Sequence, residues 1–301
     1  MKIINISKNR FDKLEKYQLP STVFNGEAKM YLLPIKNRWE SLNKILKRFY
    51  ITTGPMFGNK LQTINSLIDL ETQIGIPEIV FPEKLAVVNH EVVGYTMELV
   101  ESINLDIALN SYDISPQTKI NYLRQIGEIL EKMKLVREYT DIKDFYLNDI
   151  HENNFVVDIK TNQVRVVDID SCKINGNYTF ASRYLSPMSM VYNIPKYKKE
   201  TNGVCGGFIT PTEDSELYCY IIMILNTLYG GGINRLSIDE LYNYLEYLYS
   251  LGIDLELLTI FEKIATNTHN ENPHEMLDCL APALAKSNQH VYNYIRKKQS
   301  K

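Results

Sequence analysis

The sequence has few cysteines and lacks the patterns that cysteine-dependent folds require. The four cysteines, Cys172, Cys205, Cys219 and Cys279, lie far apart and form no CxxC pair. This spacing argues against a disulfide framework and against a structural zinc site. It favours a reducing compartment, so we expect a cytoplasmic protein.

Long apolar stretches and a strong net charge are also lacking. The longest apolar run, from Leu217 to Leu228, contains polar residues and is too short to span a bilayer, so it predicts a buried helix. The first residues turn polar too early for a secretory signal. A formal net charge of −3 gives no global attraction to nucleic acid or anionic lipid. We therefore expect a soluble protein that binds neither nucleic acid nor a membrane.

The order of the local patterns divides the chain into a sheet-rich and a helix-rich part. In the first hundred residues most segments predict strands, with one helix at about 59–73. Helical spacing then prevails, at about 103–109, 115–138, 214–229, 238–251, 254–267 and 285–297. This order predicts an α+β, bilobal arrangement with an N-lobe over 1–97 and a C-lobe over 98–301.

The most informative segment runs from Asp149 to Asp170. Asn154 follows Asp149 by five residues, and two short apolar strands joined by a turn then lead to Asp168. In phosphoryl transfer from ATP, one carboxylate orients the acceptor hydroxyl, while a carboxylate and an amide oxygen hold Mg²⁺. An Asp and an Asn alone would reflect the preference of both residues for turns. The complete order of loop, strand, turn, strand and acid is far more specific.

This order resembles the catalytic loop and metal motif of the protein-kinase-like superfamily, in which a D-x-x-x-x-N loop precedes an Asp-Phe-Gly-like motif. The resemblance implies that Asp149 is the catalytic base and that Asn154 and Asp168 bind magnesium. Asp170 replaces the glycine of that motif and is interpreted as a further metal ligand. His151 stands where protein kinases usually carry a lysine, and this histidine is similar to that of aminoglycoside- and choline-type small-molecule kinases.

A strand and a helix of the first part extend the resemblance. Residues 45–49 resemble the strand whose lysine holds the α- and β-phosphates, which makes Lys47 the candidate. The following helix would supply the acid that pairs with this lysine. Glu71 is the preferred partner and Asp69 the alternative, and ordinary helix-surface carboxylates fit the same positions.

The resemblance also assigns residues to the nucleotide. Residues 94–100 are similar to the strand that enters the interlobe hinge, with Met97 as gatekeeper and the backbone of Glu98 and Val100 bonded to adenine. The phosphates would be covered by a hairpin at which Gly26 and Ala28 are the contact residues. This hairpin keeps only the last glycine of the usual G-x-G-x-x-G.

Matches farther along the chain bear on the kind of kinase. Residues 182–187 resemble the end of a protein-kinase activation segment, and Asp214 opens a helix similar to the one whose buried aspartate anchors the catalytic loop. Leu147-Asn148 replaces the usual His-Arg, so control by a phosphorylated activation segment is not expected.

The sequence therefore predicts an ATP- and Mg²⁺-dependent enzyme, in the first place a divergent Ser/Thr protein kinase acting on a protein substrate. The histidine at 151 and the acid at 170 keep a small-molecule kinase open. The incomplete glycine loop keeps open a pseudokinase that serves as a binding scaffold. The acceptor and the oligomeric state are not specified.

Overall fold

The computed structural model describes residues 2–20, 28–33, 44–178, 211–233, 236–266 and 271–284. Within them the fold is mixed α+β, as predicted. The strands are β1 Ile3–Asn5, β2 Ala28–Leu32, β3 Lys44–Phe49, β4 Pro82–Val88, β5 Glu91–Glu98, β6 Ser102–Asn104, β7 Phe155–Asp158 and β8 Val164–Val166. The helices are α1 Lys8–Asp12, α2 Pro55–Ile74, α3 Leu105–Asn110, α4 Pro116–Tyr139, α5 Glu213–Tyr229, α6 Ile238–Ser250, α7 Leu255–Thr266 and α8 Ala281–Leu284. Shorter 3-10 turns occupy Leu14–Tyr17, Glu152–Asn154 and His274–Leu280.

A five-stranded sheet of order β1-β4-β5-β3-β2 carries the first part of the site. β1 runs parallel to β4, and the other neighbours are antiparallel. β3 lies between β5 and β2, and its register places Lys47 between Tyr95 and Met30. Because side chains alternate across a strand, Lys47 shares a face with Ile45 and Phe49, which pack in the same core cluster as residues of α2.

Helix α2 covers this face of the sheet and also contacts the helical part of the chain. It begins four residues before the predicted start, because Pro55 occupies its first position, where the missing N–H costs nothing. Its end agrees with the prediction, since Gly75 adopts the left-handed conformation with φ 64°. Ile64 packs under the sheet, and Leu67 packs in the helical core.

The second sheet, of order β6-β7-β8, is joined to the first part through backbone hydrogen bonds. The N–H of Val80 donates to the Val166 carbonyl at 2.9 Å, and the N–H of Val166 donates to the Glu78 carbonyl at 2.8 Å. Val156 and Val167 pack in the cluster that contains β3 and β5 residues. The end of the β7–β8 hairpin therefore lies against the face that carries Lys47.

The large core is built around α4 and α5. Nearly every residue of α5 from 215 to 225 is buried. The Tyr220 hydroxyl donates to the Leu123 carbonyl at 2.7 Å. At Gly127 a Cβ would clash with the Cβ of His274 and would lie 2.7 Å from this hydroxyl, so glycine allows the close packing of α4 against the turn His274–Leu280. In the part of the chain that the structure describes, no helix is both long and apolar enough to cross a bilayer.

The remaining differences from the sequence-based predictions are local. Residues 102–104 form β6, so the helix expected from 103 begins at Leu105 and is capped by the Asn104 side chain. The short elements of the first 17 residues were not predicted. The hairpin at Gly26, the segment 182–187 and the helix expected at 285–297 lie outside the described residues. The division at residue 97 into two lobes stays a prediction.

Candidate functional site

Lys47 is the centre of a buried charge cluster. Its Nζ lies 2.6 Å from Asp168 Oδ1 and 2.6 Å from Asp170 Oδ2, and its side chain is 6% exposed. Burial acts to lower the pKa of Lys47, but the charges of Asp168 and Asp170 outweigh it and raise the pKa well above its ordinary value. The side chain is therefore a fixed ammonium ion that connects β3 with the segment after β8.

A second lysine, Lys60 of α2, reaches the same cluster. Its Nζ lies 3.1 Å from Asp170 Oδ1, and its side chain is as buried as that of Lys47. The Tyr95 hydroxyl donates to Asp170 Oδ2 at 3.2 Å. Burial acts to raise the pKa of Asp170, but Lys47 and Lys60 outweigh it and lower the pKa to about 2. Asp170 is thus an ionised carboxylate whose two oxygens both have protein partners.

This arrangement changes the role predicted for Asp170. It was expected as a further metal ligand, but its side chain is 3% exposed and both oxygens are engaged by cations of the protein. A divalent ion would have to displace a lysine to reach it. In this structure Asp170 positions Lys47 and Lys60, and its role as a metal ligand stays a prediction.

Asp168 differs from Asp170 in its exposure. One oxygen contacts Lys47, yet 28% of the side chain remains exposed. Burial raises the pKa of Asp168 and Lys47 opposes this effect. The N–H of Val167 donates to the Asn154 carbonyl at 3.0 Å, which places the start of the Asp168 segment beside Asn154. These two predicted metal ligands are thereby brought to the same end of the β7–β8 hairpin.

The loop before β7 orients Asp149. The Asn154 amide nitrogen donates to the Asp149 carbonyl at 2.7 Å and to its Oδ2 at 3.0 Å. His151 Nδ1 accepts from the Asn153 N–H, so the ring proton lies on Nε2, 3.4 Å from Asp149 Oδ2. One third of the Asp149 side chain is exposed, so this carboxylate is held in place and remains accessible.

The loop that carries Asp149 is anchored to helix α5 by a residue that sequence reasoning missed. Glu216 of α5 accepts the Leu147 N–H at 2.6 Å and lies 3.2 Å from Arg137 Nη1. Arg137 also donates to the Phe145 carbonyl at 3.0 Å. Burial raises the pKa of Glu216 to about 7, although Arg137 and the Leu147 N–H lower it. Asp214 was expected in this role but is only half-buried.

The signal that identifies Glu216 is its position in the helix. It directly precedes the apolar run that starts at Leu217, and an acid next to such a run can lie on the buried face. The resemblance indicated Asp214, which lies two residues earlier in the same first turn of α5.

Gly94 is a second residue that was missed. A Cβ at this position would lie 1.9 Å from the Lys47 carbonyl oxygen, so a side chain would push β5 away from β3. The register pairs Gly94 with Arg48 and Tyr95 with Lys47. Glycine therefore allows the close approach that brings the Tyr95 hydroxyl and Lys47 to the same carboxylate.

The predicted partner of Lys47 lies elsewhere. Glu71 is exposed on α2, and the ion pairs of Lys47 with described residues are those with Asp168 and Asp170. The side chain of Asp69 lies outside the described part of the structure. The physical reason is that the position of α2 which faces the cluster is taken by a lysine, Lys60, about three turns before Glu71.

The described residues that were predicted to contact the nucleotide base or its phosphates lie on β2, on β5 and in the segment after β5. Ala28 and Met97 are buried in the cluster that contains Ile45. Glu98 is exposed and its side chain pairs with Arg165 at 2.9 Å. The Val100 carbonyl accepts the Ser102 hydroxyl at 3.1 Å. Gly26 lies outside the described residues.

The site can offer magnesium two oxygen ligands, the Asp168 carboxylate and the Asn154 amide. The Asn154 nitrogen is committed to Asp149, so its oxygen is the atom left for a metal. Among the described residues, no group of three or more His, Cys, Asp and Glu side chains could hold a metal ion.

No family model and no curated protein sequence matches this chain. The functional conclusion therefore has to come from the geometry of the cluster and of the adjoining loop.

Proposed function

We propose that the protein is an ATP- and Mg²⁺-dependent phosphotransferase with a bilobal, protein-kinase-like arrangement, and that its acceptor is an alcohol. The observation that carries this proposal is the contact of the buried Lys47 with Asp168, 121 residues away, beside a loop that orients Asp149. A lysine, a metal-binding acid and an accessible base at one place are the groups that phosphoryl transfer requires.

In this proposal Lys47 holds the phosphates of ATP. It is a cation on an interior strand, and its Nζ lies 2.6 Å from an oxygen of each of two carboxylates, which are anionic oxygen groups like those of a phosphate. Asp168 and the Asn154 amide oxygen would hold Mg²⁺, which would neutralise charge on the phosphates. The Asp168 side chain is 28% exposed and therefore remains accessible to a metal ion.

Asp149 orients the acceptor hydroxyl. Its Oδ2 is fixed by Asn154 and faces His151, while part of the carboxylate is accessible. Because Asn154 contacts both Asp149 and the proposed metal, the loop couples the position of the acceptor to that of the phosphates. Most of the rate enhancement would come from this positioning and from electrostatic stabilisation.

A Ser/Thr side chain of a protein is the first choice of acceptor, with a small-molecule alcohol as the second. The small-molecule alcohol is favoured by His151, because a histidine at this position resembles the small-molecule kinases. In the structure this histidine contacts Asp149. The segment 182–187, which resembles protein kinases, lies outside the described residues and supports the first only through its sequence.

The proposal is tested by incubating the pure protein with γ-labelled ATP and Mg²⁺, with generic protein substrates and with small aminoalcohols in separate reactions. Wild type should transfer label, and Asp168→Ala and Asp149→Asn should lose at least a hundredfold of the rate. Asp278→Asn is the matched control, because this exposed aspartate pairs with Arg124 on α4. Transfer by Asp168→Ala at the wild-type rate would contradict the metal assignment. Nucleotide binding without transfer to any acceptor would favour a scaffold.

A further inference from the structure

The charge cluster contains one more cation than a nucleotide site with a single phosphate-binding lysine needs. Lys47 and Lys60 are equally buried, and both contact Asp170. They use different oxygens: Lys47 contacts Oδ2, and Lys60 contacts Oδ1. Asp170 can therefore keep one lysine when the other moves.

The contact of Lys60 with Asp170 matters because, in the proposed function, Lys47 has to leave Asp170. Lys47 is engaged with both Asp168 and Asp170, so it must give up carboxylate contacts to hold a phosphate. A carboxylate that is 3% exposed and loses its counter-ion is strongly unfavourable, because water cannot replace the lost interaction. Without Lys60, Asp170 would hold Lys47 against the incoming phosphate.

The hydrogen bond from Tyr95 does not remove this problem by itself. The Tyr95 hydroxyl lies on the same oxygen of Asp170 as Lys47 and carries no charge to balance it. Lys60 is the group that supplies a full positive charge on the other oxygen. Helix α2, which was expected to contribute an acid for Lys47, instead contributes a cation for Asp170.

We propose that Lys60 is the resident counter-ion of Asp170 and that it allows Lys47 to exchange Asp170 for the phosphates of a nucleotide. The inference rests on the proposed nucleotide site and assigns Lys60 as a positioning residue that acts through Asp170 and Lys47. A purely structural Lys60 would affect stability and leave nucleotide affinity unchanged. The exchange requires affinity to depend on Lys60 and to recover when Asp170 is neutralised.

The test uses three variants of the full chain, Lys60→Met, Asp170→Asn and the double variant. Urea unfolding without ligand measures whether Lys60 and Asp170 are coupled, and calorimetric titration with MgATP measures the dissociation constant. Lys60→Arg keeps the charge and should bind MgATP within threefold of wild type. Lys44→Met is the matched control. Lys44 lies on β3, the strand that carries Lys47, and it pairs with Glu83 at a partly exposed position.

We expect the two single variants to lower the urea midpoint by more, in sum, than the double variant does. Lys60→Met should bind MgATP at least tenfold more weakly than wild type, and adding Asp170→Asn should restore the affinity to within threefold. If Lys60→Met does not fold, Lys60→Gln takes its place, since it removes the charge and keeps a hydrogen-bond donor.

Each contrary result identifies a different error. Strictly additive unfolding effects overturn the Lys60–Asp170 pair whether or not a nucleotide binds. Wild-type affinity in Lys60→Met, or no recovery in the double variant, overturns the exchange. A third result combines coupled unfolding effects of the variants with a wild type that binds no nucleotide. This result overturns the proposed function and the exchange with it, while the Lys60–Asp170 ion pair stands.

Discussion

Two buried carboxylates of this protein, Asp170 and Glu216, have opposite electrostatic properties. Their side chains are 3% and 1% exposed, so the loss of hydration is similar. Yet the pKa of Asp170 is lowered to about 2, whereas that of Glu216 is raised to about 7. The difference lies in their partners and not in their burial.

Asp170 has two lysines, one on each oxygen, and a tyrosine hydroxyl. Glu216 has one guanidinium and one backbone N–H as its close partners on the two oxygens. At Glu216 one cation does not offset the desolvation, whereas at Asp170 two cations do. The acid at the proposed nucleotide site is therefore ionised at neutral pH, while the pKa of the acid that anchors the neighbouring loop is raised to about 7.

The largest effect should follow from removing Asp170. Asp170→Ala leaves Lys47 and Lys60 buried with one carboxylate fewer, and we expect the free energy of unfolding to fall by about 3–5 kcal/mol. Urea unfolding at constant pH measures the change. Glu83→Ala is the control, because its pair with Lys44 is partly exposed and should contribute less than about 1 kcal/mol. Equal losses in the two variants would show that the buried ion pairs of Asp170 contribute no more to stability than the partly exposed pair of Glu83.

A smaller effect should appear as a pH dependence caused by Glu216. Its pKa rises from 4.5 in the unfolded chain to about 7 in the folded protein. Between these values the folded state binds the extra proton, so the free energy of unfolding falls as pH rises through this window. The group should contribute a loss of at most about 3 kcal/mol between pH 4.5 and 8.

The measurement compares wild type with Glu216→Gln by urea unfolding at several pH values. The contributions of the other titrating groups cancel when the free energies of unfolding of wild type and variant are subtracted. The variant lacks only the titrating carboxyl group of residue 216. We expect the stability of wild type relative to the variant to decrease as pH rises. A difference that does not vary with pH would mean that Arg137 keeps Glu216 ionised throughout, and the contrast with Asp170 would disappear.

The next prediction concerns the strand contact on which the Asp170 cluster depends. Gly94→Ala places a Cβ against the Lys47 carbonyl, and we expect about 1–3 kcal/mol of destabilisation together with weaker MgATP binding. Gly58→Ala is the matched control, since a Cβ there meets nothing within 4 Å and alanine is the better helix former in α2. That control should gain up to about 1 kcal/mol. Unfolding and calorimetric titration measure both effects.

Much of the fold was predictable because its signals are local. The end of α2 at Gly75 and the β7–β8 hairpin follow from residues that lie next to each other in the sequence. The predicted site residues Lys47, Asp168 and Asp170 were brought together although no local pattern states their distance. The family resemblance assigned these residues to one site, and their role in binding a nucleotide and a metal stays a prediction.

The partners of the acids were not predictable in the same way. Lys60 was not identified, because a lysine near the start of a helix usually faces solvent. Asp214 was assigned to the loop in place of Glu216, because which of two nearby acids faces inwards depends on the packing of α5 against α4. Charge compensation is a property of the tertiary structure, and sequence spacing alone does not determine it.

The smallest effect extends the comparison to a third acid, Asp149, which is one third exposed. His151→Asn removes the imidazole Nε2 that lies 3.4 Å from its carboxylate. Since Asn154 still holds the same oxygen, we expect kcat to fall only about tenfold, or ~1.4 kcal/mol, with the KM for ATP unchanged. Steady-state kinetics of phosphoryl transfer measures both constants, and His90→Asn in the exposed turn between β4 and β5 is the control. A rise in KM for ATP without a change in kcat would place His151 on the nucleotide. It would also show that the contact with Asn154 is sufficient to hold this exposed acid in position.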